Sequence, residues 1–315
     1  MVQKTYRMKN MKNARIAAVV VTYNRLSMLQ KCIEKLDAQT APCDVLVVNN
    51  ASSDGTTEWL EARQDGHLLA KNTGANLGGA GGFNFGMRWA VEAGYECLWL
   101  MDDDCLPEPN ALEALLEADA LLGGEYGWLS SVALWTDGSE CRMNRQKLKK
   151  SDDKSGLCAE HGLVQAKQAT FVSLFLRAET VRRIGLPIKE FFIWGDDLEY
   201  TRRIAVRGKL PSFVVEKSRV VHNMKENIGS SIARDRPERI DRYRYAFRNE
   251  AFTYRQEGIR GACYYLAKCG LNFCRIAVIS TDHRKKRMQV LLGSMIRGLF
   301  FRPEIEKGLS DDRPR

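Results

Sequence analysis

The chain has 315 residues, of which 44% are hydrophobic and 28% charged, with 25 glycines and only 8 prolines. This composition excludes a collagen-like protein, a wholly disordered chain and a small disulfide scaffold, and the length suits one α/β enzyme domain with an appendage. The net charge of +9 arises in one region, because residues 232–307 hold 17 Lys and Arg against 8 Asp and Glu. A neutral body with a basic C-terminal quarter indicates that this quarter contacts something anionic.

Cysteine usage and apolar runs bear on the compartment. The nine cysteines include no Cys-x-x-Cys pair, and the first fifteen residues are polar and basic, without the apolar run of a secretory signal. This pattern favours the cytoplasm, where thiols stay reduced. The longest apolar stretch, at 261–280, contains Lys268 and Arg275, so we expect no membrane-spanning helix there.

Apolar runs of strand length alternate with helical patterns through the first hundred residues. After a lead at 1–14 that we expect to be disordered, a helix follows the first strand, and Asn24 can cap it. Further helices follow the second and third strands. The expected strands cover residues 16–23, 44–50, 67–71 and 96–101. This order predicts an α/β fold with a doubly wound, mostly parallel sheet, which binds ligands at the carboxyl ends of its strands.

The second half of the chain divides into a polar loop, a return to the sheet and a helical region. Residues 137–165 are polar and basic, and strand and helix material resumes at 169–184. A helix then opens at 194–200, a strand follows at 213–221, and from about residue 240 the pattern is helical, aromatic and basic. We therefore divide the chain into a lead at 1–14, a sheet domain at 15–231, a basic helical extension at 232–307 and a tail at 308–315.

Three aspartates, Asp102, Asp103 and Asp104, directly follow the fourth strand. Adjacent carboxylates at a buried strand end repel one another and require a compensating positive charge. Because alternate residues of an extended segment point the same way, Asp102 and Asp104 could bind one divalent cation together. An acidic surface turn is the alternative.

Short polar residues and glycines follow the second and third strands. Asn50 and Asp54 could hydrogen-bond a base or ribose, or form a plain turn that caps the next helix. The glycine-rich stretch that contains Asn76, Gly78 and Gly79 lets the backbone approach a ligand and then enters a helix whose N-terminus favours an anion. It matches neither the P-loop nor the dinucleotide fingerprint, and a flexible loop is the alternative.

A second acidic pair, Asp196 and Asp197, lies beside Trp194 at the start of a helix. A carboxylate next to an aromatic wall suits a general base whose proton affinity is tuned by burial. Acidic residues also favour the first turn of a helix for electrostatic reasons alone. His222 ends the last strand and could complete a cation site with the aspartates, or be a structural histidine.

Five segments occur in an order that is typical of one enzyme family. They are Val-Val-Val-Thr-Tyr-Asn at 19–24, Val-Val-Asn-Asn-Ala-Ser-Ser-Asp-Gly-Thr at 47–56, Asn-Leu-Gly-Gly-Ala-Gly-Gly at 76–82, Asp-Asp-Asp at 102–104 and Trp-Gly-Asp-Asp-Leu-Glu-Tyr at 194–200. Together they resemble glycosyltransferase family 2, whose members are inverting enzymes with the A-type fold, over about residues 15–225. The Trp-x-Asp-Asp-x-Glu-Tyr form most resembles the galactofuranosyltransferase branch.

The resemblance implies a role for each of these residues. Asp102, Asp104 and His222 would hold a Mn²⁺ or Mg²⁺ ion against the diphosphate of a nucleotide sugar. Asp197 would be the general base, and Gly195, inserted between Trp194 and the aspartates, leaves Asp196 possible in that role. The donor site would be formed by Thr22, Asn24, Asn50, Asp54, Asn76, Gly78, Gly79, Asp103 and Trp194.

These roles imply an inverting, metal-dependent hexosyltransferase with a nucleotide-sugar-binding catalytic domain at 15–231. We expect transfer of galactofuranose from UDP-galactofuranose onto a hydroxyl of a lipid-linked or cell-surface glycan, as in polysaccharide biosynthesis. A rhamnosyltransferase that uses dTDP-rhamnose is the alternative within the family, and a metal-dependent nucleotidyltransferase or phosphotransferase is the alternative outside it. A nucleic-acid-binding module is not expected, because the aromatic residues of the basic region resemble helix core residues and no nucleic-acid motif is found.

The basic region also predicts where the enzyme works. Arg284-Lys285-Lys286-Arg287 lies between the apolar runs at 276–279 and 290–292. Basic residues among apolar ones are typical of a helix that lies in a membrane interface. We therefore expect a cytoplasmic protein that binds peripherally to the inner face of the cell membrane. Packing of these helices on a second subunit, in a homo-oligomer, is the alternative.

Overall fold

The computed structural model describes residues 14–149 and 157–307. The predicted lead apart from residue 14, the predicted tail at 308–315 and the middle of the predicted polar loop lie outside the described residues. The strands are β1 (Ile16–Thr22), β2 (Asp44–Asn49), β3 (Leu68–Asn72), β4 (Cys97–Asp102), β5 (Cys105–Pro107), β6 (Leu129–Leu134), β7 (Lys147–Leu148), β8 (Leu163–Gln168), β9 (Leu174–Arg177) and β10 (Phe213–His222).

The α-helices lie on both faces of the sheet and in the C-terminal region. They are α1 (Leu26–Asp37), α2 (Thr56–Arg63), α3 (Gly78–Glu92), α4 (Ala111–Leu122), α5 (Leu157–Glu160), α6 (Ala178–Ile184), α7 (Asp196–Arg202), α8 (Tyr243–Arg255), α9 (Gly258–Ile279) and α10 (Arg284–Phe300). Short 3₁₀ segments cover Arg142–Asn144, Lys189–Phe191 and Pro237–Arg242, and a π-helical segment at Arg203–Arg207 continues α7.

The strands form one ten-stranded sheet in the order β3-β2-β1-β4-β9-β6-β10-β8-β7, with β5 paired to β10. The strands β1, β2, β3, β4, β6 and β10 run in one direction, which follows from their parallel and antiparallel pairings. The predicted α/β class with a mostly parallel sheet and a helical C-terminal extension is confirmed. The antiparallel strand β9, which lies between β4 and β6, makes the sheet mixed.

The sheet is buried on both faces, which explains why its central strands are apolar throughout. All seven residues of β1 are buried, and alternate residues contact opposite layers. Ala18 and Val20 belong to the core that includes α1, whereas Ala17, Val19 and Val21 belong to the core that includes α3. Parallel strands that are covered on both sides have this continuous apolar pattern.

The start of α1 corrects the prediction that Asn24 caps this helix. The Asn24 side chain makes no cap; its Oδ1 accepts a hydrogen bond of 2.7 Å from the Ser53 backbone N–H. The first backbone N–H of the helix, that of Leu26, instead donates to Asp54 Oδ2 at 3.0 Å. The loops after β1 and β2 therefore satisfy each other's backbone N–H groups by hydrogen bonds, which the local sequence pattern does not reveal.

The C-terminal helices form a separate small core that is tied back to the sheet domain. Phe247, Tyr265 and Leu291, from α8, α9 and α10, are buried together. The chain then returns to the sheet domain, where the Leu186 N–H donates to the Glu306 carbonyl at 2.9 Å and the Glu306 carboxylate pairs with Arg88 and Lys189. The extension is thus anchored at both of its ends.

Two predictions for this extension need correction. Arg287, expected to face a membrane, is 1% exposed and donates to the Ile232 carbonyl at 2.5 Å and to the Asp235 carbonyl at 2.8 Å. Helix α9 was not expected to suit a membrane span, yet it is long and apolar enough for one by length and composition. In the described structure it packs against α8 and α10 through Tyr265, Cys269 and Ile276, which identifies it as a surface helix with one buried side.

Helix α3 packs so closely on the sheet that glycine is required at its contact point. A Cβ on Gly86 would lie 2.5 Å from Val19 Cγ1 and 2.9 Å from Val48 Cγ2. We expect Gly86→Ala to lower the free energy of unfolding by about 1–3 kcal/mol, because overpacking displaces both strands. Gly293→Ala in α10, where a Cβ meets nothing within 4 Å, is the matched control, and we expect it to be neutral or to stabilise by up to about 1 kcal/mol. Urea unfolding measures both, and equal midpoints for the two variants would contradict the packing argument.

Candidate active site

Two strand ends bring a candidate cation site together. Asp102 ends β4, Asp104 follows it by two residues, and His222 ends β10. Each offers one ligand atom, and these atoms lie within 4.8 Å of one another. Two carboxylates and one imidazole are a ligand set that suits Mn²⁺. Mg²⁺, which prefers oxygen ligands, could bind mainly through the carboxylates. The residues predicted to hold a metal are therefore neighbours in the structure.

The imidazole of His222 is held in a fixed orientation. Its Nδ1 lies 2.7 Å from Oδ1 of Asn144, an oxygen that can only accept, so Nδ1 carries the proton and Nε2 faces Asp104 Oδ1 at 3.0 Å. Although burial opposes the charged form, the hydrogen bond and charge of Asp104 raise the pKa of His222 to about 10. The same ring nitrogen, Nε2, is thus available to a cation or to a proton. Sequence analysis missed Asn144, because it lies in the polar stretch after β6.

The acidic cluster itself favours a positive charge. Burial, followed by the charge of Asp104, raises the pKa of Asp102 to about 7. Burial raises the pKa of Asp103 to about 6, against the lowering effect of Arg25. Carboxylates with raised pKa values lack compensating charge, and a divalent cation at this point would supply it. The raised pKa values of Asp102 and Asp103 are therefore the observation that supports a metal ion at these ligands.

An arginine that sequence analysis missed already supplies part of that charge. Arg25 Nη1 donates to Asp103 Oδ1 at 2.9 Å and to Asp104 Oδ2 at 2.7 Å, while Thr22 Oγ1 donates to Asp103 Oδ2 at 2.7 Å. The pairing of Val21 with Asp102 in adjacent parallel strands places these residues side by side. The available signal was a basic residue shortly after β1, at the edge of the sheet where the acidic run ends β4.

Most of the predicted donor-site residues line one large cavity of about 1190 Å³. Within it, Asn50 Nδ2 donates to the Gly78 carbonyl at 3.0 Å, and Asn76 Oδ1 accepts from the Gly78 N–H at 2.9 Å. Asn24 and Asp54 lie outside its lining, in the two loops that bond to each other. The predicted residues that line it are Thr22, Asn50, Asn76, Gly78, Gly79, Asp103 and Trp194.

The glycine-rich loop approaches the segment that carries the second acidic pair. Gly78 has a φ of +70°, and a Cβ there would lie 2.1 Å from the Phe192 carbonyl oxygen. In that segment Phe192, Trp194 and Gly195 have positive φ angles of 64°, 61° and 88°. Strained backbone of this kind persists where the surrounding structure holds it, often at functional sites. The donor-cavity loop and the Trp194 segment are therefore positioned by the same close contact.

Asp196 and Asp197 begin α7 and line a second, smaller cavity of about 470 Å³. Burial raises the pKa of Asp197 to about 6, and burial together with the charge of Asp197 raises the pKa of Asp196 well above its usual range. Asp197, with a pKa of about 6, is ionised near neutral pH, and Asp196 holds its proton to a higher pH than Asp197 does. Paired carboxylates whose pKa values diverge take different roles, and the ionised one suits a base.

The two cavities meet at the cation site. Asp102, His222 and Trp194 line both of them, together with Arg242, which sequence analysis did not single out. Asp197 lines the smaller cavity, whereas Asp103 and Asp104 line the larger one. A cation site at the junction can serve a ligand in the larger cavity while a base acts from the smaller one.

The orientation of His222 yields a metal-binding prediction. We expect Asn144→Leu to weaken Mn²⁺ binding about 10- to 100-fold, because the imidazole loses the acceptor that fixes its proton on Nδ1. Isothermal titration with Mn²⁺ alone measures the change, and Asn227→Leu, which removes a half-buried asparagine that bonds to the same loop through the Arg142 N–H, is the control. Unchanged Mn²⁺ affinity in the Asn144 variant would mean that the ion binds elsewhere.

Comparison with known proteins agrees with this geometry. Residues 17–120 match the family model described as Glycosyl transferase family 2. Over 263 residues the chain is 29% identical to galactofuranosyltransferase GlfT1 of Mycobacterium tuberculosis, covering 78% of this chain and 84% of that protein.

Solved structures show the same fold. GalNAc-T7, solved with UDP, GalNAc and Mn²⁺, superposes with a TM-score of 0.63 at 13% identity, over 89% of this chain and 54% of that chain. Mannosyltransferase PcManGT from Pyrobaculum calidifontis, solved with GDP-Man and Mn²⁺, superposes with a TM-score of 0.54 at 18% identity, over 95% and 94% of the two chains. The fold is that of the A-type glycosyltransferases, and the chain is a glycosyltransferase that is similar to family 2 and to galactofuranosyltransferases.

Proposed function

We propose that this enzyme transfers galactofuranose from UDP-galactofuranose to a hydroxyl of a lipid-linked or cell-surface glycan, with inversion at the anomeric carbon. One observation carries the proposal: Asp197 lines the smaller cavity, most of the predicted donor residues line the larger one, and Asp102 and His222 line both. An acceptor oxygen that attacks the anomeric carbon from the side opposite the diphosphate, while Asp197 takes its proton, inverts configuration. The galactofuranosyltransferase relatives support this sugar over rhamnose from dTDP-rhamnose.

The larger cavity suits the nucleotide part of the donor. Its wall includes cationic side chains, among them Arg25, Arg239 and Arg242, which complement a diphosphate. Asp102, Asp104 and His222 would hold Mn²⁺ or Mg²⁺, which supplies neutralising charge to the diphosphate leaving group. Thr22 and Arg25 hold Asp103 in place beside that site, so the protein side of the cavity is ordered before a donor enters.

The smaller cavity suits the acceptor and the base. Asp197 lies on its wall, ionised near neutral pH, and accepts the proton of the acceptor hydroxyl as that oxygen attacks. Trp194, whose ring lies 4.9 Å from the Tyr243 ring, contributes an aromatic group to the walls of both cavities. A base across the junction favours sugar transfer over nucleotidyl transfer, because in the latter the nucleophile attacks phosphorus beside the cation.

The outer side of the C-terminal helices suits an anionic membrane surface. Within the described residues, eleven of the fifteen large hydrophobic side chains that are exposed lie on α9 and α10. They are Ile259, Tyr264, Leu266, Leu271, Phe273, Val278, Ile279, Leu292, Ile296, Leu299 and Phe300. Residues 258–300 contain eight Lys and Arg against one acidic residue, Asp282, so this face complements anionic lipid.

This membrane contact differs from the one the sequence suggested. Arg287 is buried and Lys286 pairs with Asp241 at 2.8 Å, so the basic cluster at 284–287 is partly committed within the protein. The apolar side chains, flanked by exposed Arg260, Arg275 and Arg297, carry the contact instead. A peripheral position on the inner face of the cell membrane would bring a lipid-linked acceptor to the enzyme.

The assignment of the base predicts both a variant and a pH profile. We expect Asp197→Asn to leave UDP binding unchanged and to lower kcat at least about 100-fold, because the acceptor proton has no base. In the native enzyme, protonation of Asp197 removes the base, so kcat falls as the pH is lowered through about 6. Transfer from UDP-galactofuranose, followed by UDP release, measures both.

Asp196→Asn is the matched control for this experiment. Burial and the charge of Asp197 raise the pKa of Asp196, so Asp196 is the poorer base of the pair and its amide analogue should keep most of the activity. If Asp196→Asn is the inactive variant and Asp197→Asn is not, the base is Asp196. If neither lowers transfer, the proposed mechanism is wrong.

The membrane contact predicts the outcome of vesicle flotation. We expect the enzyme to float with phosphatidylglycerol-containing vesicles, and Val278→Asp to weaken this binding about 10-fold or more, because burying a Val side chain contributes roughly 1.5–3 kcal/mol. Val278 is 79% exposed, and Leu148→Asp, at a site 55% exposed on β7, is the control. Negligible binding of the native enzyme would contradict the proposal, and a dimer that Val278→Asp dissociates would identify the face as a subunit interface.

A further inference from the structure

The smaller cavity extends beyond Asp197 into the C-terminal helices, and its far wall has no assigned role. There it is lined by Gln168 from the end of β8, by Glu250 from α8 and by Lys268 from α9. These residues lie outside the 17–120 segment that matches the family model. The wall therefore belongs to the part of the chain that can differ between enzymes with the same donor site.

Two features of this wall call for a polar ligand. Gln168 Oε1 is buried, and the part of the chain that the structure describes offers it no hydrogen-bond partner. Buried amide oxygens are nearly always paired, so a ligand hydroxyl or water must satisfy this one. Lys268 Nζ lies 2.6 and 2.7 Å from the two carboxylate oxygens of Glu250, and the Glu250 side chain is 13% exposed. Such a pair offers acceptors and donors side by side.

The rest of the wall indicates a neutral, ring-shaped ligand. Trp194, Tyr243 and Phe247 present aromatic groups to the same cavity, and aromatic faces pack well against the C–H side of a sugar ring. Because Glu250 and Lys268 neutralise each other, the pair does not favour a charged ligand. Hydroxyl groups that both donate and accept match the carboxylate, the ammonium and the amide oxygen together.

We propose that this wall binds the terminal sugar of the acceptor, and that Gln168 and the Glu250–Lys268 pair read its hydroxyl pattern. The inference rests on the proposed function, because it places the acceptor hydroxyl next to Asp197. It makes three residues of β8, α8 and α9 determinants of acceptor specificity. The same helix carries the exposed Leu266 and Leu271, so α9 borders both the sugar cavity and the proposed membrane contact.

Binding of simple glycosides tests this inference without requiring transfer. The probes are octyl β-galactofuranoside, octyl β-galactopyranoside and octyl β-glucopyranoside, titrated below their micelle concentrations into the full chain and followed by calorimetry. We expect at least one to bind, and to bind equally well when UDP and Mn²⁺ are present. Competition between UDP and the glycoside, or no binding by any of the three, would overturn the inference.

Variants connect that binding to the named residues. We expect Glu250→Gln/Lys268→Met, which removes both charges together, to weaken glycoside binding at least about 10-fold and to leave the Kd for UDP unchanged. Lys31→Met/Glu34→Gln, which makes the same two changes on the exposed side of α1, is the control and should bind glycosides normally. Equal affinity in the two double variants would overturn the assignment.

Gln168→Leu keeps the test decisive if the charged pair proves necessary for folding. Removing an unpaired buried oxygen should not lower the melting temperature, whereas it should weaken glycoside binding. A loss of stability without a loss of glycoside affinity would mean that Gln168 is structural.

Hydrolysis of UDP-galactofuranose without acceptor reports separately on the proposed function. If hydrolysis fails while glycosides bind, the donor assignment is wrong. If hydrolysis proceeds while glycosides do not bind, this inference is wrong.

Discussion

Electrostatic compensation of three adjacent carboxylates is the constraint on which the site depends. Asp103 and Asp104 are 3% and 4% exposed, and buried charges of one sign are costly without partners. Arg25 from the loop after β1 and His222 from the end of β10 supply the partners. Because these two strands lie on opposite sides of β4 in the sheet, the requirement fixes how the two halves of the sheet meet.

The proposed base depends on different interactions from those of the candidate cation site. Asp197 gains its raised pKa mainly from burial, and the segment before it has backbone angles that only a tightly packed environment maintains. That packing includes the contact of Gly78 with Phe192, and Asn249 Nδ2 donates to the Trp194 carbonyl at 2.7 Å from the helical extension. The extension therefore positions the catalytic segment as well as covering it, which gives it a structural reason to be tied to the sheet domain.

Local patterns predicted the strands and the polar residues that follow them, because burial on both faces makes β1, β2 and β4 apolar and places ligand groups at their ends. Asp102 and Asp104 lie together as predicted, although Asp103 and Asp104 form the turn between β4 and β5 and not the extended backbone that the prediction assumed. Long-range pairing was not predictable in this way. The antiparallel position of β9, the crossing of Asn24 with Ser53 and the bond between Asn144 and His222 each join residues at least 28 positions apart. No periodicity in the sequence encodes such contacts.

Helix α9 shows why composition alone gave two conflicting interpretations of the extension. Lys268 and Arg275 suggested a helix unsuited to span a membrane, yet Lys268 pairs with Glu250, which leaves Arg260 and Arg275 as the exposed charges of this helix. In α10 the reverse holds, since Arg287 of the basic cluster is buried on backbone carbonyls and contributes nothing to the surface. A charge count treats Lys268 and Arg287 as surface charges, whereas Lys268 is neutralised by Glu250 and Arg287 is buried. The surface that remains is more apolar than the sequence suggests and combines exposed apolar side chains with exposed Arg260, Arg275 and Arg297, a combination typical of a helix that lies in a membrane interface.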